Sequence, residues 1–148
     1  MSDSIFKENL FEGKKVFITG GATGMGLGFA KAFLEHGADV LIASRKEENL
    51  SKAASEIKDQ TGKTLHWKMM DVRNNETVEE VAKHIKDGWG YLDVLINNAA
   101  GNFVTPTAAM SENAWRAVID IVLDGTFRVS KACYPLLRNN QELSLIHI

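Results

Sequence analysis

Short apolar runs alternate with amphipathic stretches along this chain. KKVFIT (14–19) is an apolar run of strand length, and a glycine-rich turn follows it. GMGLGFAKAFLEHG (24–37) then sets Leu27, Ala30, Phe33 and Leu34 at helical spacing, with Gly37 as the stop. ADVLIAS (38–44) predicts a second buried strand. Residues 46–60 predict an amphipathic helix, with Leu50, Ala53, Ala54 and Ile57 on one face and Gly62 beyond it. TLHWKMMDV (64–72) predicts a third strand in which Leu65, Trp67 and Met69 alternate, Met69 lying in its core and Met70 flanking it. Residues 75–87 predict a third helix through Val78, Val81, Ala82 and Ile85, and YLDVLINN (91–98) a fourth strand. From Ser111 to about residue 137 the spacing is helical, with a break expected near Gly125.

This order is β-α-β-α-β-α-β-α. Strands that alternate with helices predict an α/β fold with a parallel sheet covered on both faces. Right-handed crossovers then give a doubly wound, Rossmann-like half with strand order 3-2-1-4, in one domain over residues 1–148. Composition adds exclusions. The chain has 17 Lys plus Arg against 19 Asp plus Glu, so a net charge of −2 leaves no basic footprint for nucleic acid or an anionic membrane. No apolar run reaches transmembrane length. Cys133 is the only cysteine, which rules out an intrachain disulfide and suits a reducing compartment. The first residues, MSDSIFKENLFEGK, lack the apolar region of a signal peptide, so a cytoplasmic location is expected. His36, His66, His84 and His147 show no metal-ligand spacing.

TGGATGMG (19–26) lies between the first strand and its helix. A pyrophosphate needs a sharp turn, close backbone approach, and the free N–H groups and positive dipole end of a helix. The strand–turn–helix context therefore favours nucleotide binding over a simple tight turn, with Gly20, Gly21, Thr23, Gly24, Met25 and Gly26 as candidate contacts. The second strand ends in SRK rather than in a carboxylate. Arg45 can form a fork on a 2′-phosphate and Lys46 adds charge, so NADP is favoured over NAD; a solvated pair of cations at a helix start is the alternative. Cys133, on an apolar helix face, is expected to pack rather than react.

The spacing TGxxxGxG at Thr19, Gly20, Gly24 and Gly26 resembles the short-chain dehydrogenase/reductase family. On that resemblance Asp71, in DVR, matches the acid that contacts the adenine amino group, with Val72 beside it; a polar strand end is the alternative. NNAAG (97–101) would place Asn98 and Ala99 beside the adenosine ribose. The segments IASRK, DVR, INNAAGNFVTPT and DIVLDGTF resemble more narrowly the 2,4-dienoyl-CoA reductases of fatty-acid β-oxidation, over about residues 14–137. Enoyl-CoA reductases are near cousins.

That resemblance implies an acyl-CoA thioester as substrate and NADPH as hydride donor. The hydride would go to the δ-carbon, charge would develop on the thioester oxygen, and protonation at the α-carbon would leave a 3-enoyl-CoA. It implies a catalytic role for Asn102 as donor to that oxygen, with Arg73, Phe103 and Ser111 holding the acyl chain or CoA. Each also has a plainer reading: Asn102 as a turn residue, Phe103 as core, Ser111 as a helix N-cap. Val122 stands where many short-chain dehydrogenases have a catalytic asparagine, which weakens a generic ketoreductase reading. The whole protein is expected to be a homotetramer.

The family's catalytic YxxxK motif is not found: the residue four after Tyr91 is Leu95, and the one four after Tyr134 is Arg138. Catalysis by these 148 residues alone is therefore not expected. The ending LSLIHI (143–148) supports two readings. It suits the start of a fifth strand. It is also the translation of CTG-TCT-CTT-ATA-CAC-ATC, which resembles a transposon-end sequencing adapter, and this second reading is favoured, with the native sequence ending near Gln141 or Glu142. On it, the fourth strand is an unprotected edge, and poor solubility or partial unfolding is expected. The alternatives to a dienoyl-CoA reductase half are another short-chain reductase, acting on an enoyl-CoA or a 3-oxoacyl substrate, and a non-catalytic nucleotide-binding module.

Overall fold

The computed structural model describes residues 6–138 and 144–147. The first five residues, Leu143, Ile148 and the expected native end near Gln141 lie outside the described residues. A parallel sheet in the order β3-β2-β1-β4-β5 forms the centre. Its strands are β1 (Lys15–Thr19), β2 (Asp39–Ser44), β3 (His66–Met69), β4 (Val94–Asn97) and β5 (Ser144–His147). The helices are α1 (Gly24–Glu35), α2 (Glu47–Thr61), α3 (Asn75–Trp89), α4 (Glu112–Ile119) and α5 (Gly125–Arg138).

The continuous apolar runs of β1 and β2 follow from burial on both faces. Val16, Ile18, Val40 and Ile42 pack with Ala30, Leu34, Leu50, Ala53 and Ile57 of α1 and α2. Phe17, Leu41 and Leu95 face the opposite layer, with Val78, Val81 and Ile85 of α3 and Val129, Cys133 and Leu136 of α5. Gly62 and Gly90 close α2 and α3 in the left-handed conformation, at φ 70° and 78°. Asn74 caps α3 by accepting the Glu76 N–H at 2.9 Å.

Several expectations are corrected. The third strand is shorter than residues 64–72, because only His66–Met69 pairs with β2 on this outer flank of the sheet. The two methionines exchange roles: Met69 is exposed at the strand end, whereas Met70 points to the other face and is buried with Val72. The long helix is interrupted just before Gly125, as expected, but by a change of helix type rather than a break in the chain's helical path. It passes from α4 through one wide π-helical turn, Asp120–Asp124, into α5. Finally, β4 is not an unprotected edge. Ser144–His147 runs parallel along it, pairing Val94 with Ser144 and Asn97 with His147. The edge is β5, all four of whose residues are exposed.

Candidate functional site

All four strands β1 to β4 point their carboxyl ends to one side, and a cleft of about 340 Å³ opens there. Such a crevice is where open parallel sheets bind ligands. Its floor is set by β1 and β4. Thr19 is buried, and its Oγ1 accepts the main-chain N–H groups of Asn98 at 3.1 Å and Ala99 at 2.9 Å. The Asn98 side chain donates back to the carbonyls of Thr19 (3.0 Å) and Gly20 (3.1 Å). The polar, small-sided NNAA segment is thus a clasp that joins the end of β4 to the glycine turn.

The glycines divide the work. A Cβ on Gly26 would lie 2.5 Å from the Gly20 carbonyl oxygen and 2.6 Å from Asn98 Nδ2, so α1 starts in contact with the turn and the clasp. Gly21 does not line the cleft; its Cβ would run into the Ile42 side chain, so it serves turn-on-sheet packing. Gly24 also lies off the lining, at the positive φ of 55° that starts the helix. At the α1 N-terminus, Thr23 makes no side-chain cap and the first turn carries no acid. By contrast, α2, α3 and α4 each carry an acid in the first turn. The N–H groups and dipole end of α1 are therefore open to an external anion.

Of the expected cofactor contacts, Gly20, Thr23, Met25, Gly26, Arg45, Lys46, Asp71, Val72, Asn98 and Ala99 come together around this cleft. Ala43, Asn49, Ala100 and Ile121 line it too and were not singled out in the sequence; so do Ser44, at the strand end SRK, and Met70, expected as a strand flank rather than as a cofactor contact. Asn49 could have been found from its helical spacing to Lys46. Ile121 gave no such signal, since its aim depends on the π-turn. Arg45 and Lys46 are exposed, and among the described residues neither has an ion-pair partner. Two free cations beside an open helix N-terminus suit a ligand with separate phosphate groups.

Asn102, Phe103 and Ser111 do not line the cleft. Asn102 and Phe103 are exposed in the loop after Ala100, so Phe103 is not core. Ser111 caps α4, accepting the Ala114 N–H at 3.2 Å, as its plainer reading expects. Arg73 folds back onto Asp71: Nε donates at 3.0 and 3.1 Å and Nη2 at 2.6 Å. These side-chain hydrogen bonds, with the Arg73 main-chain N–H and the charge of Arg45, hold the Asp71 carboxyl below its ordinary value against the opposing effect of burial. A depressed pKa means that this pairing stabilises the fold above the usual carboxylate range and is lost as pH falls through the folded value. In Arg73→Ala, Asp71 should titrate at higher pH, as followed by carboxyl NMR. An unmoved titration would show that Arg73 does not control it.

Cys133 is buried in the α3/α5 core, and burial, with Glu79 adding, pushes its thiol up to about 12. It is inert, as expected from its helix face. Among the described residues no cluster of His, Cys, Asp and Glu could hold a metal ion, and no helix is long and apolar enough to cross a membrane.

Comparison with known proteins decides the family. The family model for short chain dehydrogenases matches residues 14–148. The chain belongs to the short-chain dehydrogenase family. Among relatives in it, the zebrafish (Danio rerio) "Peroxisomal 2,4-dienoyl-CoA reductase [(3E)-enoyl-CoA-producing]" is 38% identical over 97% of this chain and 48% of its own length. A Bacillus subtilis (strain 168) protein named "Probable 2,4-dienoyl-CoA reductase [(2E)-enoyl-CoA-producing]" is 43% identical over 82% of this chain and 47% of its own. This short-chain dehydrogenase chain therefore spans about half the length of the relatives it matches. A solved short-chain dehydrogenase of Shigella flexneri 2a str. 301, complexed with NADP, superposes with a TM-score of 0.88 at 29% identity, covering 94% of this chain and 59% of that one. The parallel order 3-2-1-4-5 is the amino-terminal part of the short-chain dehydrogenase fold.

Proposed function

We propose that this chain is the NADP-binding half of a reductase that converts 2,4-dienoyl-CoA to an enoyl-CoA in fatty-acid β-oxidation. The observation that carries the cofactor assignment is the pair of unpartnered cations, Arg45 and Lys46, on the rim of a cleft whose helix N-terminus is open to an anion. The Shigella relative solved with NADP supports it. The substrate class is supported by the names of the relatives at 38% and 43% identity.

The residues take these roles. Gly20, Gly26 and the first N–H groups of α1 cradle the pyrophosphate, Arg45 and Lys46 hold the 2′-phosphate, and Asp71 with Val72 bounds the adenine. Asn98 and Ala99 support the ribose from the clasp. When bound, NADPH supplies the hydride. Asn102, two residues beyond the cleft-lining Ala100, donates its Nδ2–H to the thioester oxygen as negative charge gathers there. Phe103 and Ser111 flank the acyl and CoA portions, and Arg73 adds a cation near the CoA phosphates once released from Asp71. Addition of a hydride to the diene and of one proton to the dienolate completes the reduction. The names of the relatives differ on the product, (3E) in one and (2E) in the other, and the α-carbon protonation expected here gives the 3-enoyl isomer. The whole protein is proposed as a homotetramer in a reducing, cytoplasmic setting, and a peroxisomal one is the variant that the name of the zebrafish relative raises.

The test is the loss of NADPH absorbance with a 2,4-dienoyl-CoA, followed by identification of the double-bond position. The 148-residue chain, which carries no YxxxK, should bind NADPH in a fluorescence titration and show no turnover. Turnover by this chain would overturn the assigned mechanism. Absence of NADPH binding would overturn the cofactor assignment.

A further inference from the structure

One part of the cleft wall is built unusually. Val72 comes from the segment after β3, and Ile121 from the π-helical turn between α4 and α5. π-turns are rare and cluster at functional sites, because one extra residue per turn re-aims the side chains that follow. Here the turn needs a brace, and Arg128 supplies one. Its Nη1 donates to the Asp120 carboxylate at 2.8 Å, and reaches the Asp120 carbonyl at 3.3 Å and the Val72 carbonyl at 3.4 Å. Its Nη2 stands 3.9 Å from the Asp124 carboxylate. The guanidinium therefore touches the first and last residues of the π-turn and the backbone of the strand-end segment at once. Contact between the two elements is already tight, since a Cβ on Gly125 would lie 2.8 Å from Val72 Cγ2.

We infer that Arg128 is a positioning residue for nucleotide binding: it straps the π-turn to Val72 and so sets the spacing of Val72 and Ile121 across the cleft wall. It lines no part of the cleft itself. The apolar packing of α5 runs through Val129, Cys133, Leu136 and Leu137, which are buried independently of the guanidinium. Removing the fork should therefore loosen the wall before it unfolds the helix. One guanidinium nitrogen serves the Asp120 carboxylate and the two carbonyls while the other faces Asp124, a span that a single ammonium cannot copy in full, so lysine should replace it in part.

This inference rests on the cleft being a nucleotide site. The test is NADPH fluorescence titration of the wild-type chain, Arg128→Met, Arg128→Lys, Asp120→Asn and the Arg128→Met/Asp120→Asn double variant, each with a thermal melt. Arg128→Met should weaken binding roughly three- to tenfold, and the double variant no further than the stronger single one, the coupling expected of one shared network. Arg128→Lys should recover part of the loss. Lower melting temperatures with wild-type affinity well below the melt would overturn the strap while leaving the nucleotide reading intact. If Arg128→Met does not fold, Asp120→Asn decides alone, and wild-type affinity there sinks the inference. Failure of the wild-type chain to bind NADPH would remove the nucleotide reading and the strap with it.

Discussion

Gly26→Ala should abolish nucleotide binding and lower the melting temperature. The new Cβ would stand 2.5 Å from a main-chain oxygen, 2.6 Å from Asn98 Nδ2 and 3.0 Å from the Gly21 Cα. Two of these neighbours are backbone, and the third is held by hydrogen bonds to Thr19 and Gly20. None is the free end of a flexible side chain. Relief therefore requires α1 to move off the turn or Asn98 to leave its carbonyls. Overpacking costs about 1–3 kcal/mol, and each net hydrogen bond lost adds about 1 kcal/mol. Together these predict a drop of roughly 6–12 °C for a domain of this size. Gly28→Ala, two residues along the same helix, meets nothing within 4 Å and should instead gain about 0.5–1 kcal/mol from helix propensity. Parallel melts and NADPH titrations of the two variants check this. A Gly26→Ala protein with wild-type melting and affinity would refute the close approach.

That contrast shows which parts of the site a sequence can carry. The TGxxxGxG pattern placed the turn and helix, because glycine is the residue that close backbone approach selects. Arg45 and Lys46 were legible as cleft candidates for a different reason: they stand where a carboxylate is the common alternative. Less legible was anything set by long-range pairing. Thr19 reads as the last residue of a strand, and its hydroxyl becomes the clasp only when β4 arrives from residue 97, far along the chain. The wide turn at Asp120–Asp124 has no periodicity of its own, so an interruption near Gly125 was legible but its π-helical form, and with it the aim of Ile121, was not. Met69 and Met70 exchanged roles because neighbours on a strand point to opposite faces, and which face is covered depends on the helices. The segment Ser144–His147 is too short for its apolar character alone to mark a strand, which its pairing along Val94–Asn97 supplies; that pairing bears on the strand and not on whether LSLIHI is adapter sequence.

Arg45→Asp should reverse the coenzyme preference. In the proposed complex, Arg45 gives a charge-assisted fork to the 2′-phosphate, and such bonds contribute about 1.5–3 kcal/mol each. Aspartate removes that attraction and sets a carboxylate against the phosphate. NADPH affinity should fall roughly a hundredfold, which is about 2.7 kcal/mol. NADH carries a 2′-hydroxyl instead, which a carboxylate can accept, so its affinity should hold or rise. The substitution also removes the Arg45 charge that helps to depress Asp71, leaving Arg73 to hold that carboxylate by its fork. Lys46→Ala should cost less, because lysine acts as a point charge with no fork to lose. The selectivity should narrow as salt rises, since both cations are exposed and screening weakens them. Titrations of both coenzymes at low and high salt separate the terms. Equal losses for NADPH and NADH would show that Arg45 supports the loop rather than reads the phosphate, and the NADP assignment would then rest on Lys46 alone.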